Sequence, residues 1–321
     1  MSSGDSTFHA GEKALQERAG VRGRLAQAGP KVIRDYMPDQ HRLFFAELPL
    51  LFVGSLDAQG RPWASVLTGM PGFIASPDPH TLTVHARPAA SDPFAQNLEV
   101  GIPIGLLGIQ LETRRRNRMN GTVTALRPDG FTVKVGQSFG NCPQYIQSRV
   151  PWFDSTAYEA GGPAVREETA RLSDMAADLV ARSDTFFIAS AAPDTGSDAA
   201  HGVDISHRGG RPGFVRIERS ASGTVLSFPD FRGNFYFNTL GNIAANPRAG
   251  LLFVDFDSGD LLSLTGKAQV IWDGPEVAAF AGAERLVRVE VERGFYIRNA
   301  VPLRWSEPEY APQLARTGTW G

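Results

Sequence analysis

Two stretches of the chain are copies of one plan, and that doubling constrains the fold more than any other feature. Gly105-Leu106-Leu107-Gly108-Ile109-Gln110-Leu111 is echoed by Gly250-Leu251-Leu252-Phe253-Val254-Asp255-Phe256, and a glycine, Gly121 or Gly266, follows each at the same distance. Upstream, Met70-Pro71-Gly72-Phe73-Ile74 matches Arg211-Pro212-Gly213-Phe214-Val215, and before them Leu51-Phe52-Val53-Gly54-Ser55 matches Phe187-Ile188-Ala189-Ser190-Ala191. Downstream, Val133-Lys134-Val135 and Val289-Glu290-Val291 each lead to a proline and then a tryptophan, Pro151-Trp152 and Pro302-Leu303-Arg304-Trp305. A repeat of this extent predicts two homologous domains, each large enough to bury its own core.

Between the copied segments the pattern is short β-branched and aromatic runs separated by turn residues such as Asp57-Ala58-Gln59-Gly60, Ser76-Pro77-Asp78-Pro79 and Pro128-Asp129-Gly130, the rhythm of a small antiparallel barrel. The expected organisation is a helical extension over 1–36, a first barrel over 37–155, a second over 156–305 and an irregular tail over 306–321. In the extension, Gly11 to Ala28 reads as one helix with Leu15, Ala19 and Leu25 as its apolar stripe, stopped by Gly29-Pro30. A short helix opens at Pro38 and runs through Ala46-Glu47. Ala160-Gly161-Gly162-Pro163 reads as a linker, and Glu167 to Arg182 as a helix with Leu172, Met175, Ala176 and Leu179 on one face. A turn or two of helix is expected from Thr239 to Asn246, ending before Pro247.

Composition removes several classes of function. The 32 basic and 34 acidic side chains leave a formal charge of −2, so no global field recruits nucleic acid or an anionic membrane. The one cysteine, Cys142, forms neither an internal disulfide nor a thiolate metal site, which fits a cytoplasmic protein. No apolar run reaches the roughly 20 residues that span a bilayer, and Met1-Ser2-Ser3-Gly4-Asp5 lacks the pattern of a signal peptide. Dinucleotide and P-loop glycine motifs are absent as strand–helix units.

Ser227-Phe228-Pro229-Asp230-Phe231-Arg232-Gly233-Asn234, then Asn238-Thr239-Leu240-Gly241-Asn242, then Asn246-Pro247-Arg248-Ala249-Gly250-Leu251-Leu252-Phe253 carry a resemblance to the pyridoxamine 5'-phosphate oxidase-like FMN-binding split-barrel superfamily. It implies a mainly β (α+β) chain of two tandem split barrels, antiparallel and Greek-key, with short flanking helices. It also implies that the polar turn and helix start hold a flavin phosphate. The chemistry agrees: a phosphate is bound by backbone N–H groups, the positive end of a helix and a few polar or cationic side chains. Asp230, Gly233, Asn234, Asn238, Thr239, Leu240 and Gly241 offer that set, and Ser206-His207-Arg208-Gly209-Gly210 on the partner strand adds glycines for close approach and a charge on Arg208. Repeat one has Ser65-Val66-Leu67-Thr68-Gly69 and Ala86-Arg87-Pro88-Ala89-Ala90-Ser91-Asp92-Pro93 in those places, without the phosphate elements.

Repeat one keeps Phe139-Gly140-Asn141-Cys142-Pro143-Gln144-Tyr145-Ile146-Gln147-Ser148-Arg149, similar to the Cys-Pro-Lys-Tyr or His-Cys-Pro-Lys segment of many of these flavoproteins, with Gln144 where a lysine is common. Because split barrels usually pair around the flavin, the resemblance implies that Tyr145, Gln147, Ser148 and Arg149 approach the cofactor from the first barrel. Phe8-His9-Ala10-Gly11-Glu12 and Arg114-Arg115-Arg116-Asn117-Arg118-Met119-Asn120-Gly121 look like a two-barrel subfamily. The implied protein binds FMN and transfers electrons or hydride to a small-molecule substrate, with NAD(P)H as a candidate donor. The alternative is a non-catalytic carrier or sensor of flavin, haem or another tetrapyrrole. No nucleic acid, membrane or metal is expected, the two barrels pair within the chain, and a homodimer stays open.

Individual residues carry competing readings. His207 either moves protons beside the flavin or caps a strand end, and it is the weak catalytic candidate. Cys142 has no legible activating base, so a buried structural thiol is expected. The arginines at 114–116 and Arg118 either bind an anionic substrate or NADPH phosphate, or form a solvated face with one or two inward members. Asp255, Asp257 and Asp260 with Gly259 read as a hairpin turn rather than a metal site, and His9 with Glu12 as a helix cap.

Overall fold

A computed structural model describes residues 7–157, 163–195 and 198–320. The chain opens with helices α1 (Ala10–Arg18), α2 (Arg22–Val32) and α3 (Asp39–Ala46). Strands β1 (Leu50–Leu56), β2 (Pro62–Thr68), β3 (Ile74–Asp78) and β4 (Thr81–Val84) follow, then helix α4 (Pro93–Asn97). Repeat one closes with β5 (Pro103–Gln110), β6 (Arg115–Arg127), β7 (Gly130–Gly140) and β8 (Pro151–Phe153). Repeat two begins with β9 (Ala164–Thr169), α5 (Asp174–Arg182), β10 (Thr185–Ala191), β11 (Val203–Gly209), β12 (Arg216–Ser220), β13 (Gly223–Phe231) and α6 (Asn238–Ala245). It ends with β14 (Arg248–Val254), β15 (Leu261–Ile271), α7 (Pro275–Ala278), β16 (Ala283–Arg298) and β17 (Leu303–Trp305).

The two large sheets have one topology. The first runs β2-β1-β5-β6-β7-β4-β3 and the second β11-β10-β14-β15-β16-β13-β12, every pairing antiparallel. β2 and β3 stand at opposite ends of their path yet are joined by the short turn from Gly69 to Phe73. The turn can reach only if the sheet curls back on itself, and since the two edges do not pair the barrel is split. β8 and β17, the proline–tryptophan segments of the two repeats, pair with each other, Arg304 opposite Trp152. The chain is thus mainly β, two tandem split barrels with short helices.

Each barrel encloses its own core, Phe45, Leu51, Val53, Phe94 and Phe131 in the first and Phe186, Phe228, Phe253, Leu264 and Val287 in the second. A third core lies between them, built from Phe52, Leu107, Phe187, Ile205 and Leu252. β1 therefore buries both faces, Leu51 and Val53 inward and Phe52 toward the other barrel, which is why its apolar run is unbroken.

The repeated glycines mark where backbones touch. A Cβ on Gly105 would lie 2.4 Å from the Val203 carbonyl oxygen of β11, and one on Gly250 2.4 Å from the Pro62 carbonyl oxygen of β2. Gly121 and Gly266 both sit at β-bulges, where a Cβ would lie 2.1 Å from the oxygens of Lys134 and Glu290.

Several sequence expectations need correction. β1 pairs Gly54 with Gly105 while β10 pairs Ala189 with Gly250, so Phe52 rather than Leu51 corresponds to Phe187. These two equivalent phenylalanines stack on each other, ring centres 3.5 Å apart. The first helix is two helices, broken at Gly20 with φ +68°, and Pro30 lies inside the last turn of α2. Residues Glu167 to Thr169 belong to β9 rather than a helix, because the edge of β16 beyond its pairing with β13 is open over Arg293–Arg298 and β9 fills it. The apolar stripe from Leu172 to Leu179 does pack into the second core. Residues 160–162 of the expected linker lie outside the described residues. The tail after Ser306 is irregular apart from one 3-10 turn, Pro312–Arg316, which buries Leu314. No helix among the described residues is long and apolar enough to cross a membrane.

Candidate functional site

A cleft opens where the two barrels meet. From the second barrel, β11 contributes Ser206, His207, Arg208 and Gly209, the end of β13 contributes Asp230, β16 contributes Arg285, and the loop after β13 leads through Gly233 and Asn234 to Asn238, Thr239 and Leu240 at the start of α6. The first barrel supplies Leu107 from β5, Arg116 and Arg118 from β6, and the segment after β7 with Asn141, Cys142 and Tyr145. Three aromatic residues on this rim, Tyr145, Phe235 and Phe237, hold left-handed backbone conformations with φ 63°. Such geometry costs about 1–2 kcal/mol per residue and persists where surrounding packing enforces it. Tyr145 stacks on Phe231 at 4.8 Å, joining the two barrels across the cleft.

The cleft is cationic. Arg116, Arg118, Arg208, Arg232 and Arg285 line it against a single acid, Asp230. Arg285 Nε lies 3.1 Å from Asp230 and Arg208 Nη2 lies 3.8 Å from it, while Arg285 Nη2 also pairs with Glu284. Arg116 Nε donates to the Cys142 carbonyl at 2.8 Å, and among the described residues no carboxylate lies within ion-pair range of it. Burial, reinforced by neighbouring Arg208, brings Arg116 down to about 9, which leaves it charged at neutral pH. Arg118 Nε, Arg208 Nε and the Asn141 side-chain nitrogen are buried donors without a partner. The first amides of α6 add further unpaired donors, since Phe237 gives no side-chain cap.

His207 is only 3% exposed, and burial together with Arg116 and Arg208 holds its pKa well below the usual range. It is therefore neutral at pH 7. Arg116 Nη1 donates to its Nδ1 at 3.1 Å, and because a guanidinium cannot accept, the ring proton sits on Nε2. That Nε2 is buried without a partner.

Beneath the floor runs a polar network that ties three parts of the chain. Arg118 Nη1 donates at 3.0 Å to both Asp204 and the side-chain oxygen of Asn238, and Arg118 Nη2 reaches Ser206. Thr239 donates to Ser206 at 3.0 Å, while Asn242 reaches Asp204 and Ser190. From α1, Glu12 accepts from the Asn238 side chain and from the backbone N–H of His9, completing a capping box with His9. Burial and then the Asp204 charge lift Glu12 to about 8, so at neutral pH it is mostly protonated and Asp204 alone balances Arg118.

The structure brings Tyr145, Ser206, His207, Arg208, Gly209, Asp230, Gly233, Asn234, Asn238, Thr239 and Leu240 to the cleft lining. It places the other five expected residues outside that lining: Gly241 passes its N–H to the Phe237 carbonyl and packs against Glu12, and the remaining four lie elsewhere behind the wall. Gly210 passes its N–H to the Asp184 carbonyl, Gln147 bridges the Gly210 carbonyl and the Ala311 N–H, Ser148 donates to the Glu112 carbonyl, and Arg149 pairs with Asp184 at 2.7 Å. Cys142 corrects the expectation of a buried thiol, being half-buried at the cleft wall. Asp255 and Asp260 do organise a turn, accepting from Asp257, Ser258 and Asn299 N–H groups. Strand alternation could have found Arg116 and Arg118, which share one face of β6. The capping pattern marks Glu12 as a helix cap but not as part of the floor, and nothing local marks Arg285.

With fold and site in place, the family is settled. The model of the pyridoxamine 5'-phosphate oxidase family matches the chain twice, over residues 37–151 and 172–298, and the chain belongs to that family. No curated protein matches it. Solved structures similar to it include HupZ of Group A Streptococcus, at 15% identity over 38% of this chain and 90% of that one, TM-score 0.28. A putative pyridoxamine 5'-phosphate oxidase from Lactobacillus delbrueckii matches at 14% identity over 33% of this chain and 95% of its own, TM-score 0.27. HutZ, the haem storage protein of Vibrio cholerae, matches at 11% identity over 40% of this chain and 95% of its own, TM-score 0.27.

Proposed function

We propose that the cleft binds FMN and that the chain is a flavin-dependent oxidoreductase acting on a small molecule, with NAD(P)H as the first donor to test. The observation that carries this reading is the five arginines lining the cleft, of which Arg116 and Arg232 have no carboxylate partner among the described residues, with buried donors on Arg118 and Arg208 still unpaired. A phosphate dianion satisfies such a donor set, and Arg208, Thr239 and the α6 amides would hold it. Leu107, Phe231 and Tyr145 offer the apolar and aromatic surface that a flat ring system requires. Bound FMN would supply the one- and two-electron chemistry. The chain's own part is to orient, to exclude water and to place charge: Arg116 stays cationic at neutral pH, and neutral His207 keeps its proton on Nε2. With both His207 nitrogens buried or engaged by Arg116, axial ligation of a haem iron would first require that contact to break.

The test is the visible spectrum of the purified protein, with the released chromophore identified by mass, beside an Arg208→Ala, Asn234→Ala variant. Flavin absorption lost in the variant is expected. A Soret band would move the assignment to haem, and a protein that stays colourless with added FMN would overturn it. FMN held without turnover by NAD(P)H would leave a flavin carrier or sensor.

A further inference from the structure

A second, open cleft lies on the other side of β6 from the first. Alternation along the strand sends Arg116 and Arg118 into the flavin-type cleft and turns Arg115 and Asn117 the opposite way, toward α3. Arg114, Arg115, Arg116, Asn117, Asn141 and His41 form its walls, and no Asp or Glu is among its lining residues. Arg115, an exposed residue, rests its guanidinium over the Phe44 ring at 5.0 Å. Among the described residues Arg115 has no carboxylate partner, whereas Arg114 is held by Glu309 at 2.9 Å. His41 is pinned to Ser138 at 3.0 Å, and burial with the nearby charges of Arg34 and Arg115 keeps it neutral.

The two clefts share a wall. Arg116 and Asn141 line both, and the Asn141 side-chain nitrogen is buried with no partner. A site rich in N–H donors, without a carboxylate in its lining and carrying an arginine with no ion-pair partner among the described residues, suits a compact anion. The geometry points to this cleft as the docking site for the anionic end of the substrate, a small molecule bearing a phosphate or carboxylate group. Naming that anion as substrate rests on the flavoprotein reading, while the binding itself does not.

The experiment is isothermal titration of the FMN-saturated protein with inorganic phosphate and, separately, with succinate, so that the two anion chemistries are told apart. Saturable heat with one of them is expected at millimolar concentration. Arg115→Glu should weaken it at least about tenfold, the loss of one charge-assisted donor group. Arg115→Gln should give a smaller loss, with FMN affinity and melting temperature unchanged in both. No saturable heat with either anion, or equal affinity in Arg115→Glu, overturns the proposal. If the chain takes up no FMN, the same titration on the ligand-free protein still reports whether Arg115 governs anion binding, so failure of one reading is separable from failure of the other.

Discussion

Glu12 is 3% exposed and sits 226 residues from its partner Asn238 in sequence, yet its carboxyl group sets the charge of the floor beneath the cleft. Its folded pKa, about 8, is raised above the unfolded value of 4.5, so folding retains a proton between those two pH values. The contribution to stability is complete below pH 4.5, is lost progressively as pH rises, and is gone above about 8. Glu12→Gln keeps the acceptor for Asn238 and removes the titration. Its melting temperature should therefore fall less than that of the parent between pH 6 and 8.5, a difference on the order of 1–3 kcal/mol followed by thermal melts across pH. Arg116 makes a second case at this scale. As an unpaired cation at the shared wall it should strengthen FMN binding although it belongs to repeat one, and Arg116→Ala should weaken FMN about tenfold or more in a fluorescence titration.

At the level of strands, the glycines at 105 and 250 are where one barrel lays its backbone on the other. Gly105→Ala and Gly250→Ala should each cost about 1–3 kcal/mol, since the new methyl meets a carbonyl oxygen that has nowhere to move. Equal losses in thermal unfolding are expected, because the contacts are equivalent. These glycines, the bulge pair Gly121 and Gly266, and the proline–tryptophan strands were all legible in the sequence as copies, and they carried the fold. The register of β1 against β10 was not, because both strands are buried on both faces and an unbroken apolar run contains no alternation to fix it. The strand β9 was hidden for another reason: Ala164–Thr169 forms it only because β16 offers an open edge. For the cleft, the turn after β13 and the start of α6 stood out as polar clusters. Arg285 did not, since a buried arginine that meets its partners across the fold reads locally like a solvated one.

Across the whole molecule the two barrels are alike in topology and unlike in chemistry. The position of Arg118 in β6 is taken in β15 by Ser263, that of Arg116 by Leu261, and those of His207 and Arg208 in β11 by Val66 and Leu67 in β2. The place related to the cleft by the internal two-fold therefore lacks the cations. One FMN per chain is expected, measured as flavin released per mole of protein, and two per chain would contradict this account of the site. The stacked pair Phe52 and Phe187 lies close to that two-fold, where equivalent residues meet. In a dimer of identical subunits whatever stands on one side of such an axis must stand on the other, and a change that spoils one site spoils its twin. Joining the halves in one chain lifts that obligation: one half is free to keep the ligand while the other gives up its own site and lends arginines, so the two copies can evolve as specialised partners rather than as duplicates.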